Sequence, residues 1–423
     1  MRTLYSALWY VALPWLPLRL WWRGRREPGY RAHVAERFGR YETKPQVAET
    51  LWIHAVSLGE TRAAVPLVTR LLRERPHATI LLTHMTATGR EAGATFNDAR
   101  VMQAWLPYDV PFAVKSFLAH FTPSAGLLME TEVWPNLVAE SARAGIPLYL
   151  VNARLSEKSL RGYRRFASLT QPMFAALAGV AAQTAADAAR LREAGAPEIA
   201  VTGNLKFDVS LSDEMRTRGR ELRELFGAER PVFLAAATRD GEESLILDAI
   251  ARSPLPEGAL TVIVPRHPQR FDEVADLLRK RNLRFARRSD AAPVAHDVDY
   301  VLGDTMGELL AYYVAADVAF VGGSLLPLGG QNLIEAIAAG TPTLIGPHTF
   351  NFAEASAQAV AANAALRVTD ANALVAAVCE LLQDPLRAAR MRDAALAFHA
   401  AHRGAIERLW AWLAPKINRS DAR

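Results

Sequence analysis

Three observations predict an α/β chain of two domains. From residue 50 onward, short β-rich apolar runs alternate with longer helical patterns, the signature of parallel sheets with crossover helices. The rhythm runs through one series, is interrupted by a polar, charged stretch near Phe207 to Arg220, and then restarts. The chain has 423 residues, more than the roughly 250 to 300 at which a single hydrophobic core stops growing.

The first series of expected strands is Leu51 to Val56, Thr79 to Thr83, Val101 to Leu106, Gly126 to Met129, Leu148 to Val151, Gly179 to Ala182 and Ile199 to Thr202. The second is Val232 to Ala236, Leu260 to Val264, Tyr300 to Leu302, Val318 to Val321, Thr343 to Ile345 and Leu366 to Val368. The expected division is a segment at 1–26, an N-terminal domain at 27–206 and a C-terminal domain at 207–423. No low-complexity tract or short repeat interrupts it, and 51% apolar with 22% charged residues is ordinary for globular protein. The single cysteine, Cys379, cannot pair within the chain, which suits a reducing compartment.

The formal charge of +5 is concentrated at the start: residues 1–40 carry eight Arg against Glu27 and Glu36, and the remainder is close to neutral. A nucleic-acid partner is not expected, because phosphate-binding charge would recur along the folded domains. Leu4 to Leu18 is almost wholly apolar, includes Trp9, Tyr10 and Trp15, and is followed by Trp21, Trp22 and the cluster Arg23, Arg25, Arg26. A spanning helix wants about 20 apolar residues, and this run is shorter and holds Pro14 and Pro17. Tryptophan beside arginine suits the headgroup layer, so the segment is expected to attach to inner-membrane lipids from the cytoplasmic side. An amphipathic helix packed on its own domain is the plainer reading, and a cleaved signal peptide the weaker one.

In open α/β sheets ligands gather beyond the carboxyl ends of the strands. The first strand is followed by Ser57-Leu58-Gly59-Glu60, with Glu60 in the first turn of a helix, where the dipole favours a carboxylate. Such a group can serve as a general base. Ser-x-x-Glu is also a capping box, and from Glu60 alone the cap is the better reading. Glu130 terminates the buried run Leu127 to Met129 and requires donors around it. Glu132 is the expected solvated member of that pair, and Lys206 and Arg154 are candidate cations at neighbouring strand ends. In the second half, Arg266-His267 can meet a phosphate, as can free N–H groups in Gly322-Gly323-Ser324 and in the turn before Asn332. Glu335 suits ribose hydroxyls, and Met306-Gly307-Glu308 offers contacts to a base. No Gly-x4-Gly-Lys-Ser/Thr loop is present, and no Gly-x-Gly-x-x-Gly follows the first strand.

Taken together, Ser-Leu-Gly-Glu (57–60), Met-Glu-Thr-Glu-Val-Trp-Pro-Asn (129–136), Asn-Ala-Arg-Leu-Ser (152–156) and Leu-Lys-Phe-Asp (205–208) form a specific set. Pro-Arg-His-Pro (265–268), Gly-Asp-Thr-Met-Gly-Glu (303–308), Phe-Val-Gly-Gly-Ser (320–324) and Gly-Pro-His-Thr-Phe-Asn-Phe (346–352) continue it. With these motifs the chain closely resembles the 3-deoxy-D-manno-octulosonic acid (Kdo) transferases of lipopolysaccharide assembly over nearly its whole length. It departs at Asn332-Leu333-Ile334-Glu335, where many relatives carry Asn-Pro-Leu-Glu.

The resemblance implies a GT-B architecture, two facing Rossmann-like domains with the acceptor lipid on the first and CMP-Kdo chiefly on the second. It implies an inverting transfer of Kdo to a lipid A precursor (lipid IVA). Glu60 would be the general base, and Glu130 and Lys206 would stabilise the transition state. CMP would lie near Arg266, His267, Met306, Gly307, Glu308 and Asn332, Leu333, Ile334, Glu335. No cofactor and no metal are expected. The rival readings are another GT-B sugar-nucleotide enzyme and a non-catalytic nucleotide-binding scaffold at the membrane.

Overall fold

In the computed structural model, seven parallel strands form the first sheet: β1 (Glu49–His54), β2 (Ala78–His84), β3 (Val101–Trp105), β4 (Ala125–Met129), β5 (Leu148–Ala153), β6 (Gly179–Ala182) and β7 (Ile199–Val201). Their order is β3-β2-β1-β4-β5-β6-β7. Continuous apolar runs form these strands because crossover helices cover both faces. Alternation then divides each run between two cores. Trp52, Leu81, Leu128 and Leu150 enter one, and Leu51, Ile53, Leu82 and Leu127 the other. Gly126 is required where β4 passes Trp52 and Leu148, since a Cβ there would lie 2.4 Å from the Leu148 side chain. The structure describes residues 1–25, 27–45, 49–209 and 211–418.

The second sheet is also parallel: β8 (Val232–Thr238), β9 (Leu260–Pro265), β10 (Phe285–Arg287), β11 (Tyr300–Leu302), β12 (Val318–Val321), β13 (Thr343–Ile345) and β14 (Ala365–Arg367). Its order is β10-β11-β9-β8-β12-β13-β14. The edge strand β10 is not among the expected strands. It has three residues, all only half-buried, and carries no apolar run to mark it.

The chain divides into two compact units, Met1–Asp208 with Gly404–Arg423, and Val209–Arg403. This corrects the expected C-terminal domain, which ran from 207 to 423. The helix Ala405–Asn418 returns to the first unit and buries Leu409, Leu413 and Ile417 in the first sheet's core. Asp208 fixes the return, because its carboxylate accepts from the N–H groups of Gly404 and Ile406 and so caps this helix.

At the amino end, the helices Arg2–Ala12 and Leu16–Arg23 pack on the first unit through Leu16 and Leu20, which join Tyr30, Tyr108 and Val110. Tyr5 bonds Asp109, and Ser6 donates to Asn136 at 3.0 Å. The opposite face leaves Leu4, Leu8, Val11, Trp15, Leu18 and Trp22 exposed. Among the described residues no helix is long and apolar enough to cross a membrane. Arg25 lies over the Trp21 ring at 4.2 Å; Arg26, the last of the expected arginine cluster, lies outside the described residues.

Candidate active site

The order of the first sheet reverses between β1 and β4, and the residues following those two strands flank the switch point where open sheets take ligands. Glu60 comes from the first strand end and Glu130 from the second.

Ser57 is the extended N-cap of the helix Leu58–Glu74, and its Oγ accepts from Glu60 N–H at 3.5 Å. The reciprocal bonds are tighter. Ser57 Oγ–H donates to Glu60 Oε1 at 2.9 Å, and Val56 N–H to Oε2 at 2.8 Å. Ser57 thus caps the helix through Glu60 N–H and fixes the Glu60 carboxylate through its own hydroxyl. Only 9% of the residue is exposed. Burial lifts the Glu60 carboxyl from its ordinary range to about 7, opposed by the Val56 donor and reinforced by the negative charges of Glu132 and Glu130.

Glu130 is buried and ends β4 in a left-handed conformation, φ 56°. Such backbone costs of the order of 1–3 kcal/mol for a residue with a side chain and concentrates at functional sites. Lys206 Nζ reaches Glu130 Oε1 at 2.8 Å, and Arg154 Nε reaches Oε2 at 2.7 Å. Both candidate cations therefore converge on one carboxylate, and half of the Arg154 side chain stays exposed. Lys206 is placed by the short turn Leu205–Phe207, with Asn204 Oδ1 accepting its backbone N–H. Glu132 differs from the expected solvated carboxylate: it is half-buried, and burial raises its carboxyl, reinforced by Glu130.

In the second unit the order reverses between β8 and β12. Arg266 is the first residue past β9 and anchors its N–H on Thr238 O at 2.9 Å; its side chain is half-buried, and His267 beside it is exposed. Past β11, Met306 is exposed and Gly307 holds φ 80° with open space on its Cβ side. Glu308 is buried, accepts from Thr305 and Arg288, and pairs with Arg218 at 3.2 Å. Asn332 Nδ2 donates to Glu335 Oε1 at 3.0 Å, while its Oδ1 accepts from Ile334 N–H at the start of the helix Ile334–Ala339. Leu333 and Ile334 send their side chains into the core, so any ligand contact from them is through backbone. All of these residues lie on the carboxyl edge of the sheet or on the segment that follows it.

The Gly322-Gly323-Ser324 turn differs from the expectation. Its N–H groups are not free: the wholly buried Glu242 carboxylate accepts from Gly323 at 2.6 Å and from Ser324 and Leu325 at 3.0 Å each. An internal carboxylate fills the cradle expected to meet a phosphate, and the N–H groups of the turn before Asn332 are taken likewise, Gly330 donating to Gly323 O at 2.6 Å and Gln331 to Gly322 O at 2.9 Å. The available signal was the acidic pair Glu242-Glu243 directly after Gly241, at the head of the helix that follows β8.

A model of the 3-deoxy-D-manno-octulosonic-acid transferase family matches residues 32–209, and the glycosyl transferases group 1 model matches residues 267–397. The 3-deoxy-D-manno-octulosonic acid transferase of Bordetella pertussis is 47% identical, over 96% of this chain and 97% of its own. The chain belongs to the Kdo transferase family. The Haemophilus influenzae transferase is 37% identical over 99% of both chains. A solved structure, Phytolacca americana UGT2 complexed with UDP-2fluoro-glucose and pterostilbene, matches with TM-score 0.53 and 13% identity, covering 89% of this chain and all of its own. That likeness shows the fold alone, two Rossmann-like domains of the GT-B class. The Kdo transferase is thus a glycosyltransferase of lipopolysaccharide biosynthesis.

Proposed function

We propose that this transferase moves Kdo from CMP-Kdo to a hydroxyl of a lipid A precursor (lipid IVA) with inversion, and that Glu60 is the general base. The observation that carries the reading is the Glu60 carboxylate itself, held by two donors at the switch-point edge and lifted to about 7. A base poised near the working pH combines a usable deprotonated fraction with real proton affinity. As the acceptor oxygen bonds to the anomeric carbon, Glu60 takes its proton, the bond to the CMP phosphate breaks, and CMP departs. Glu130 and Lys206 then stabilise charge at the reacting centre, with Arg154 sharing the carboxylate.

The donor is assigned to the second unit. Arg266 and His267 meet the phosphate, Met306, Gly307 and the backbone of Glu308 meet the base, and Asn332 to Glu335 meet the ribose. The reading needs neither cofactor nor metal, and a chelator should leave the rate unchanged within about twofold.

The exposed face of the amino-terminal helices supports attachment at the cytoplasmic surface of the inner membrane, since a contiguous apolar patch of this kind rimmed by arginines suits a lipid interface. No nucleic-acid partner is proposed. Incubation with CMP-Kdo and a tetra-acylated lipid A precursor tests the function. The expected result is CMP release with a heavier lipid of inverted anomeric configuration; no product, or turnover of a UDP-sugar instead, overturns it.

A further inference from the structure

We propose that His84 is a positioning residue that orients and polarises the Glu60 carboxylate through the single peptide joining Ala55 to Val56. The inference rests on Glu60 being the base. His84 ends β2 and is wholly buried. Its Nδ1 lies 2.9 Å from Ala55 O. A carbonyl oxygen only accepts, so Nδ1 carries the proton. The same peptide presents Val56 N–H to Glu60 Oε2 at 2.8 Å. One continuous chain of donors therefore runs from the ring through the carbonyl and its own N–H to the carboxylate, and each bond in such a chain strengthens the next.

The tautomer is fixed from the far side of the ring. With its amide oriented so that both ends are satisfied, Gln103 donates to His84 Nε2 at 3.1 Å and to Arg90 O at 2.8 Å, and accepts from Ala94 N–H at 3.0 Å. Thr61, on the same helix as Glu60, has its hydroxyl 3.4 Å from His84 Nδ1 and directs its proton to Ser57 O at 2.9 Å. The peptide itself cannot tilt: Ala55 N–H donates to Thr83 O at 2.9 Å, and Val56 O accepts from Met85 N–H, Thr86 N–H and the Thr86 hydroxyl at 3.0–3.2 Å.

Burial depresses His84 to about 4, so the ring stays neutral and acts as a donor dipole rather than a charge. The charged and titratable groups facing the ring are Arg90 and the buried His54; those facing Glu60 are Glu130 and Glu132. None of them lies in the chain of bonds from His84 to Glu60.

Two His84 variants and two readouts test this. His84→Leu removes the donor, and His84→Asn keeps an amide N–H near the Nδ1 position. The first readout is the acid limb of the pH profile of kcat/KM. The second is the Glu60 carboxyl titration, followed by 13C in carboxyl-labelled glutamate and assigned by its loss in Glu60→Gln. A weaker donor to the carboxylate favours its protonated form. H84L should therefore displace both midpoints upward by roughly half a unit, about threefold on the acid limb, with KM for CMP-Kdo unchanged. H84N should restore both.

If neither midpoint moves in H84L, or H84N is displaced as far as H84L, the positioning role is overturned. If the carboxyl titration moves and the rate limb does not, the link from His84 to Glu60 stands and the general-base reading fails. Gln103→Leu carries the same test should H84L not fold. It removes the donor to Nε2 without touching the peptide, which makes Nδ1–H a weaker donor to Ala55 O, and should displace the carboxyl midpoint upward by a smaller amount; an unmoved midpoint there overturns the proposal.

Discussion

The surroundings of Glu60 disfavour its charged form. Its carboxyl sits near 7 in the folded chain against 4.5 for a free glutamate side chain. Between those values the folded state binds more protons than the unfolded one, so folding stability falls as pH rises from about 4.5 to about 7. Above pH 7 the full cost is in place, about 3 kcal/mol at 1.36 kcal/mol per unit. Glu60→Gln removes that cost. The variant should melt at a higher temperature than the wild type at pH 8 and at nearly the same temperature at pH 4, while turnover falls roughly 100-fold or more with CMP binding retained. Scanning calorimetry at the two pH values checks the stability arm and isothermal titration the binding arm. The wild-type rate should rise with pH through about 7. The motif Ser57-x-x-Glu60 made the cap legible in the sequence, because capping depends on local spacing. The raised carboxyl was not legible, because it arises from burial and from Glu130 and Glu132, contributed by a different strand end.

The amino-terminal helices show the same division between local and distant information. Apolar residues with flanking arginines were visible in the sequence, but which of them face the protein was not. The structure buries Leu16 and Leu20 and exposes Leu8, Val11 and Trp15. Deleting the segment would therefore uncover Tyr108 and Val110 and damage the domain as well as any anchor. Point changes separate the two roles. The triple variant Leu8→Ser, Val11→Ser, Trp15→Ser should lose at least about tenfold in binding to anionic vesicles with its melting temperature nearly unchanged. Leu16→Ala should cost about 2–4 kcal/mol of stability while leaving the exposed face intact. Vesicle sedimentation alongside denaturant unfolding checks both arms. Unchanged sedimentation of the triple variant would remove this face as the anchor. Elsewhere at this scale, a long apolar run announced its strand, as in Leu260 to Val264, whereas β10 has only Phe285-Ala-Arg at a sheet edge. The Glu242 contact is not legible in the sequence for a different reason. It joins the head of one helix to a turn some 80 residues later, and neither segment alone says that the anion is internal.

Across the whole molecule the informative element is the one that returns. Two rhythms of strand and helix suffice to predict two Rossmann-like domains, but that pattern does not say where the last helix packs. The helix Ala405–Asn418 has an apolar stripe of Ala405, Leu409, Leu413 and Ile417 at helical spacing, which would fit either sheet. The choice is made by Asp208, which caps its first turn, and by Trp412 against Tyr149 of β5 with ring centroids 5.9 Å apart. A break in the chain at residue 403 should therefore act unequally on the two units. Residues 209–403 retain all seven strands of the second sheet and their core, so the fragment should fold alone, melt cooperatively and bind CMP within a few-fold of the full chain. Residues 1–208 without the returning helix lose Leu409, Leu413 and Ile417 from the core on one face of the first sheet. Each leucine lost from that core costs about 2–5 kcal/mol, and a domain has only about 5–15 kcal/mol to lose. That fragment should be unfolded or aggregated, and a peptide of residues 404–418 added in trans should recover part of its fold. Circular dichroism on the two fragments decides the matter: a stable 1–208 fragment would return the last helix to the second domain.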